Sequence, residues 1–343
     1  MSYPADIATR AMYASVCAYQ IHAKGVTTKP EVPVLRRADS ADGSFFYDVA
    51  PDYQNPVGFA QGAADFTPAF FATGPDLIHA ALIGLTHDGY AVVALRGTIA
   101  PNMTGNDFRG WISDWANDAD AVPVKWTPYG KDWGQISKGF GEGAILLWPW
   151  IEKTLAGLID QATKGIIICG HSKGAAMTFL VASLAATKWP ARAGDIQTHA
   201  FAAPVTGDAG FTSAYEAAGL AANTYRYQVE NDLVPFLPIW NGADVWQAIT
   251  FSKMSDEIAW LAFVEAIRFG CLDGGYYAVG SFHYFTSGHQ LVPGAEVDSS
   301  ALPAVVGRIE AEDFKTVVSA HGATGSYLPC FAPSQQASPP LVS

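Results

Sequence analysis

The stretch "IIICGHSKGAAMTFLVASLAA", residues 166–186, sets a β-branched run, a Gly-His-Ser-Lys-Gly corner and a small-residue helix in immediate succession. An isoleucine run bounded by glycine reads as a strand buried on both faces, and the alanine-rich segment after it as a helix. A sharp strand-to-helix turn crowds the backbone, which accounts for glycine two residues before and two after the serine, at Gly170 and Gly174. Ala175 and Ala176 let the helix lie close to neighbouring strands. The turn also leaves Ser172 at the head of a helix, where unpaired N–H groups favour a developing negative oxygen. A serine hydroxyl is a weak nucleophile until a base takes its proton. The pattern predicts Ser172 as a nucleophile and directs attention downstream to a base and an acid. With 33 glycines in the chain, a bare GxSxG arises by chance about 0.1–0.2 times, so the flanking strand and helix carry the inference. The competing reading is an ordinary strand-turn-helix corner with an idle serine.

Around this corner the chain alternates strand and helix patterns. Upstream, "DLIHAALIGLTHDGYAVVALRGT", residues 76–98, predicts two strands about a His-Asp-Gly turn. Residues 99–118 follow with Phe108, Trp111, Ile112 and Trp115 at the spacing of an amphipathic helix. Helices are predicted over 4–22, on the outside of something larger, and over 140–158, 173–187, 208–218, 255–269 and 308–319. Strands are predicted over 166–170, 198–204, 223–229 and 276–285. Strands separated by helices of ten or more residues imply crossover connections and a mostly parallel sheet. Residues 24–75 read as irregular with short strands at most, and 331–343 as a frayed tail.

The 343 residues include 50% hydrophobic and 15% charged side chains, ample for a large core. Twenty basic residues against 32 acidic ones give a net charge of −12, which repels nucleic acid and anionic bilayers. The basic residues near Lys29, Arg36 and Arg37 are too few to form a phosphate track. Cys17, Cys169, Cys271 and Cys330 form no CxxC pair, so no metal site is expected; a Cys271–Cys330 bridge is conceivable. No continuous apolar leader or 18-residue apolar window is present, so a soluble chain is expected, cytoplasmic or secreted after removal of a leader.

In an α/β-hydrolase arrangement the acid and then the base follow the serine. Asp232 in "YRYQVENDLVPFLP" stands where a parallel strand ends, on the rim expected for Ser172, with Glu230 and Asp256 as alternatives. Of the downstream histidines, His283 lies inside a predicted strand and His289 in a turn. His321 is favoured because it follows a helix in a loop opened by Gly322 and Gly325. An oxyanion hole needs two donors. The amide of Lys173 offers one and Thr98 the other, unless Arg96-Gly97-Thr98 is merely a strand end.

Taken in order, these motifs resemble the class 3, or fungal-type, lipases from about residue 90 to 327. "VVALRGT" is similar to the family's oxyanion strand, "DWANDAD" to the stretch after its lid, "SKGFGEGA" to the next helix opening and "GHSKGAA" to its nucleophile elbow. "AFAAPVTGDAGF", "ENDLVPFLP" and "AHGATGSYL" resemble its following strand, its acid loop and its histidine loop with a nearby tyrosine. Lys173 and Ala175 depart from the family's usual Leu and Gly, and Ser137 stands where a His is frequent. The resemblance implies an α/β-hydrolase fold with a mostly parallel central sheet flanked by helices and a lid insertion at 99–118. One domain over 1–330 is expected, with 1–75 as an N-terminal elaboration outside the resemblance. The resemblance also implies Ser172 as nucleophile, Asp232 as orienter, His321 as base, Thr98 and Lys173 as oxyanion donors, and no cofactor. Phe108, Trp111, Phe236 and Trp240 then read as substrate-binding rings, pointing to acylglycerols or other apolar esters and to transient contact with a lipid interface. The alternatives are an esterase for soluble or aromatic esters, and a catalytically silent scaffold of the same fold.

Overall fold

The computed structural model describes residues 4–19, 21–23, 38–39, 45–47, 69–74, 78–98, 122–237, 275–296 and 300–331. The strands are β1 (Ile21–Ala23), β2 (Ala38–Asp39), β3 (Phe45–Tyr47), β4 (Ala69–Thr73), β5 (His79–Leu85), β6 (Tyr90–Leu95), β7 (Pro123–Lys125), β8 (Gln135–Ser137), β9 (Gly165–His171), β10 (Ile196–Phe201), β11 (Thr224–Val229), β12 (Ser281–Phe285) and β13 (Leu291–Val292). The helices are α1 (Ala5–Ala18), α2 (Lys138–Leu158), α3 (Lys173–Lys188), α4 (Ala209–Ala217), α5 (Leu302–Glu310), α6 (Phe314–Ala320) and α7 (Leu328–Phe331).

Eight strands form one sheet in the order β13-β12-β11-β10-β9-β6-β5-β4. The five strands from β12 to β6 are parallel to one another, and β13, β5 and β4 join them antiparallel. A parallel centre must be covered on both faces. All seven residues of β9 are buried, as the continuous isoleucine run requires. Helices α2 and α3 pack together against one face, and α1 lies across β6 and β9 on the other. Each fully buried Ile or Leu in these layers contributes about 1.5–3 kcal/mol.

The C-terminal ends of three adjacent parallel strands share a feature. Ser172 after β9, Ala202 after β10 and Asn231 after β11 all have positive φ, at 59°, 54° and 70°. Non-glycine residues rarely adopt this conformation, so a rim carrying three of them is a place where local comfort yields to placement.

Several expectations are corrected. The helix expected over 4–22 ends at Ala18 as α1, with ten of its fourteen residues buried against one face of the sheet. The single helix expected over 308–319 is two, α5 and α6. They are separated by Glu312 at φ 55° and by Asp313, whose side chain accepts from the Thr316 N–H at 3.3 Å. The strand expected over 276–285 begins only at Ser281, after Gly280 at φ 80°, where a Cβ would strike Thr224. The β7–β8 hairpin, with Trp126 and Trp133 buried between its strands, was not expected from the sequence. Cys330 carries a free thiol, and its conceivable partner Cys271 lies outside the described residues.

Candidate active site

Strands β6 and β9 run in parallel register with Leu95 beside Gly170, so residues 96–98 and 171–173 leave the sheet together. At the corner, Gly174 lies so close to β6 that an added Cβ would meet the Leu95 carbonyl and the Arg96 backbone, while Gly170 faces the main chain of Gly174. Both glycines are thus fixed by close backbone approach. Ser172 takes φ 59° and ψ −132°, and its carbonyl receives the Ala175 N–H at 2.8 Å to start α3.

Two strands away, Asn231 turns the chain beyond β11 and Asp232 points inward, fully buried. Its carboxylate accepts the Val234 N–H at 3.0 Å on Oδ1 and the Tyr327 hydroxyl at 2.5 Å on Oδ2. His321, immediately after α6, sets Nδ1 at 3.1 Å from each Asp232 oxygen and Nε2 at 2.8 Å from Ser172 Oγ. An ionised carboxylate only accepts, so Nδ1 carries the proton and Nε2 is left to receive one from the serine. Charge on Asp232 has a further effect: burial first, then that charge and the hydrogen bond to it, push the Tyr327 phenol well above its ordinary pKa and keep it a donor. Ser172 is 4% exposed and His321 7%.

The amide of Lys173 opens α3 beside Ser172, and Thr98 follows the end of β6 on the same rim. The Lys173 side chain is buried; its charge, second to burial, lowers the His79 imidazole to about 4. His283 sits in β12 with Nε2 3.1 Å from Ser281 Oγ, and His289 occupies an exposed turn; no hydrogen bond joins either to Ser172. Glu230 accepts the Ser287 N–H at 2.8 Å, away from Ser172. Phe236 is buried within the larger core cluster and serves packing there. Phe108, Trp111, Trp240, Asp256 and the candidate lid at 99–118 lie outside the described residues. A cavity of about 360 Å³ lies behind the acid and histidine loops, lined by Asn231, Lys315 and Ser319 among others, and Ser172 does not line it.

Sequence reasoning gave no role to Tyr327, Tyr19 or His171. Tyr327 was within reach, six residues beyond His321. Tyr19 was not, since it meets its partner His171 across most of the N-terminal half of the chain.

Residues 92–242 match the family model of class 3 lipases. That stretch is similar to the class 3 lipases. The chain has an α/β-hydrolase fold with a mostly parallel central sheet flanked by helices. Similar solved structures include a mutant form of MDLA from Penicillium cyclopium, 19% identical, with 92% of this chain and 93% of that one covered at a TM-score of 0.52. A triacylglycerol lipase whose catalytic centre is described as a serine protease triad is 15% identical, with 85% and 86% covered at a TM-score of 0.50. A Rhizomucor miehei lipase propeptide complex is 17% identical, with 69% of this chain and 63% of that one covered at a TM-score of 0.47. No curated protein matches the chain significantly. No described helix is long and apolar enough to cross a membrane.

Proposed function

We propose that this chain hydrolyses apolar carboxylic esters, acylglycerols foremost, by acyl transfer to Ser172. The observation that carries the reading is the unbroken line from Ser172 Oγ to His321 Nε2 at 2.8 Å and from His321 Nδ1 to Asp232 at 3.1 Å. His321 takes the hydroxyl proton as Oγ bonds to the ester carbonyl carbon, and Asp232 stabilises the imidazolium that forms. The amides of Thr98 and Lys173 hold the negative carbonyl oxygen. His321 then gives its proton to the departing alcohol, and a water activated by the same imidazole releases the acid.

An apolar acyl group is supported by the family match over 92–242 and by the ring-rich sequence around 108–115 and 236–246. One domain over 1–330 is supported by a single sheet that runs from β4 to β13.

The test combines labelling with substrate profiling. A fluorophosphonate is expected to label the wild type, with labelling abolished in Ser172→Ala and kcat falling by about 10⁴–10⁶. An unlabelled, folded wild type defeats the hydrolytic reading. Across p-nitrophenyl esters, rates are expected to favour longer acyl chains. A preference confined to acetate and butyrate, with no gain on an emulsion, would assign the site to soluble esters.

A further inference from the structure

At the far end of α1 from the chain start, Tyr19 reaches into the active-site rim without belonging to the Ser-His-Asp line. Its hydroxyl stands 2.9 Å from His171 Nδ1, and the two rings meet edge to face with centroids 5.9 Å apart. Burial raises the Tyr19 phenol above its ordinary pKa against the opposing pull of Arg96 and the Gly97 N–H, so the hydroxyl keeps its proton beside His171. The same oxygen receives the Gly97 N–H, and Gly97 is so tightly held between it and the His171 carbonyl that no Cβ fits there. One residue back, the Arg96 guanidinium donates to the Ile21 carbonyl. Residues 19 and 21 therefore grip Arg96 and Gly97, the two residues immediately before Thr98. On its other side His171 packs its ring against His321, with centroids 4.9 Å apart, and against Tyr327 at 5.2 Å.

We propose that the Tyr19–His171 pair is a positioning device that sets the Gly97–Thr98 backbone, and with it the oxyanion donor, in register with Ser172 and His321. The inference rests on the acyl-transfer reading above. Neither side chain touches the reacting atoms. The hydroxyl of Tyr19 links the Gly97 amide to the imidazole that packs on His321, so removing it releases the strand end while leaving the Ser-His-Asp line intact. Donors aimed at developing charge must be held before the reaction, and a misplacement of about 1 Å far from the chemistry can cost 10²-fold.

Tyr19→Phe keeps the ring and removes only the hydroxyl. With active sites counted by fluorophosphonate titration, kcat is expected to fall about 10–100-fold while KM stays within about twofold, because the donor acts on the transition state. Affinity for an alkylboronic acid, a tetrahedral mimic, is expected to fall by the same factor as kcat. His171→Leu should match Tyr19→Phe, and His171→Asn, whose Oδ1 stands near the position of Nδ1, should recover part of the loss. Unchanged kcat per titrated site in Tyr19→Phe overturns the proposal, whatever happens to thermal stability. Equal weakening of substrate and boronate overturns it as well, since that marks general packing. If Ser172→Ala remained active, the acyl-transfer reading would fail instead, and the two failures are told apart by that control.

Discussion

On the side of α2 and α3, β9 presents Ile166 and Ile168 to a core of Ala, Leu, Phe and Met; on the side of α1 the same strand presents Ile167, Cys169 and then His171. The contrast continues across the sheet. The α1 side carries His199 with Nδ1 3.0 Å from the Tyr227 hydroxyl, Tyr225 and Tyr227 stacked on it, and His283 stacked on Tyr227. One layer is apolar and interlocking; the other adds buried imidazoles and phenols to its aliphatic side chains. Burial is the first cause that lowers His199 to about 3 and His283 to about 4, and that drives His171 well below its ordinary value. The apolar layer fixes the strands, and the polar layer delivers directional bonds to their C-terminal rim, where Ser172, Asp232 and His321 meet.

The sharpest challenge to that division is to remove volume from the apolar side. Leu147, fully buried on α2, is expected to cost about 2–5 kcal/mol as Leu147→Ala, read from the urea midpoint, with kcat of the folded fraction unchanged. A loss under about 1 kcal/mol would mean that this layer is not the stabilising one. Next, Tyr327→Phe removes a donor from a buried carboxylate and is expected to cost about 1.5–3 kcal/mol while lowering kcat more than KM changes.

The histidines give the following effect. Their folded pKa values lie below the unfolded value, so the stability they contribute is fully present above about pH 6.5. It is lost as pH falls toward their folded values, at about 1.4 kcal/mol per pH unit for each proton taken up on unfolding. His79, lowered to about 4 on the α2 side, shares this behaviour. His199→Phe keeps a stacking ring and is expected to reduce the slope of stability against pH between 6.5 and 4 by about one proton. An unchanged slope would break the assignment. The smallest effect is expected at the surface. Arg10 and Asp88, 2.8 Å apart with side chains 29% and 32% exposed, tie α1 to the β5–β6 turn. Asp88→Asn should cost about 1 kcal/mol or less, and less again in high salt.

The apolar layer was also the more legible one. Isoleucine runs, alternating strand and helix lengths and the glycines around Ser172 announce themselves because each reports a local requirement. The rim does so only in part. Ser172 is marked by Gly170 and Gly174, yet the left-handed backbone at Ala202, Asn231 and Glu312 has no glycine to betray it, and the break between α5 and α6 was missed for that reason. The β7–β8 hairpin is hidden because its strands are three residues each, too short to show an alternating pattern. Tyr19 and His171 are joined by folding alone, so no spacing rule reaches them.

Ser172, finally, stands in a conformation that its own side chain disfavours, and such a residue carries about 1–3 kcal/mol of strain. Glycine would relax there. A Ser172→Gly chain would be the sturdier object and an inert one, so selection for endurance alone would erase this corner, and its persistence is what separates a working molecule from a merely well-folded one.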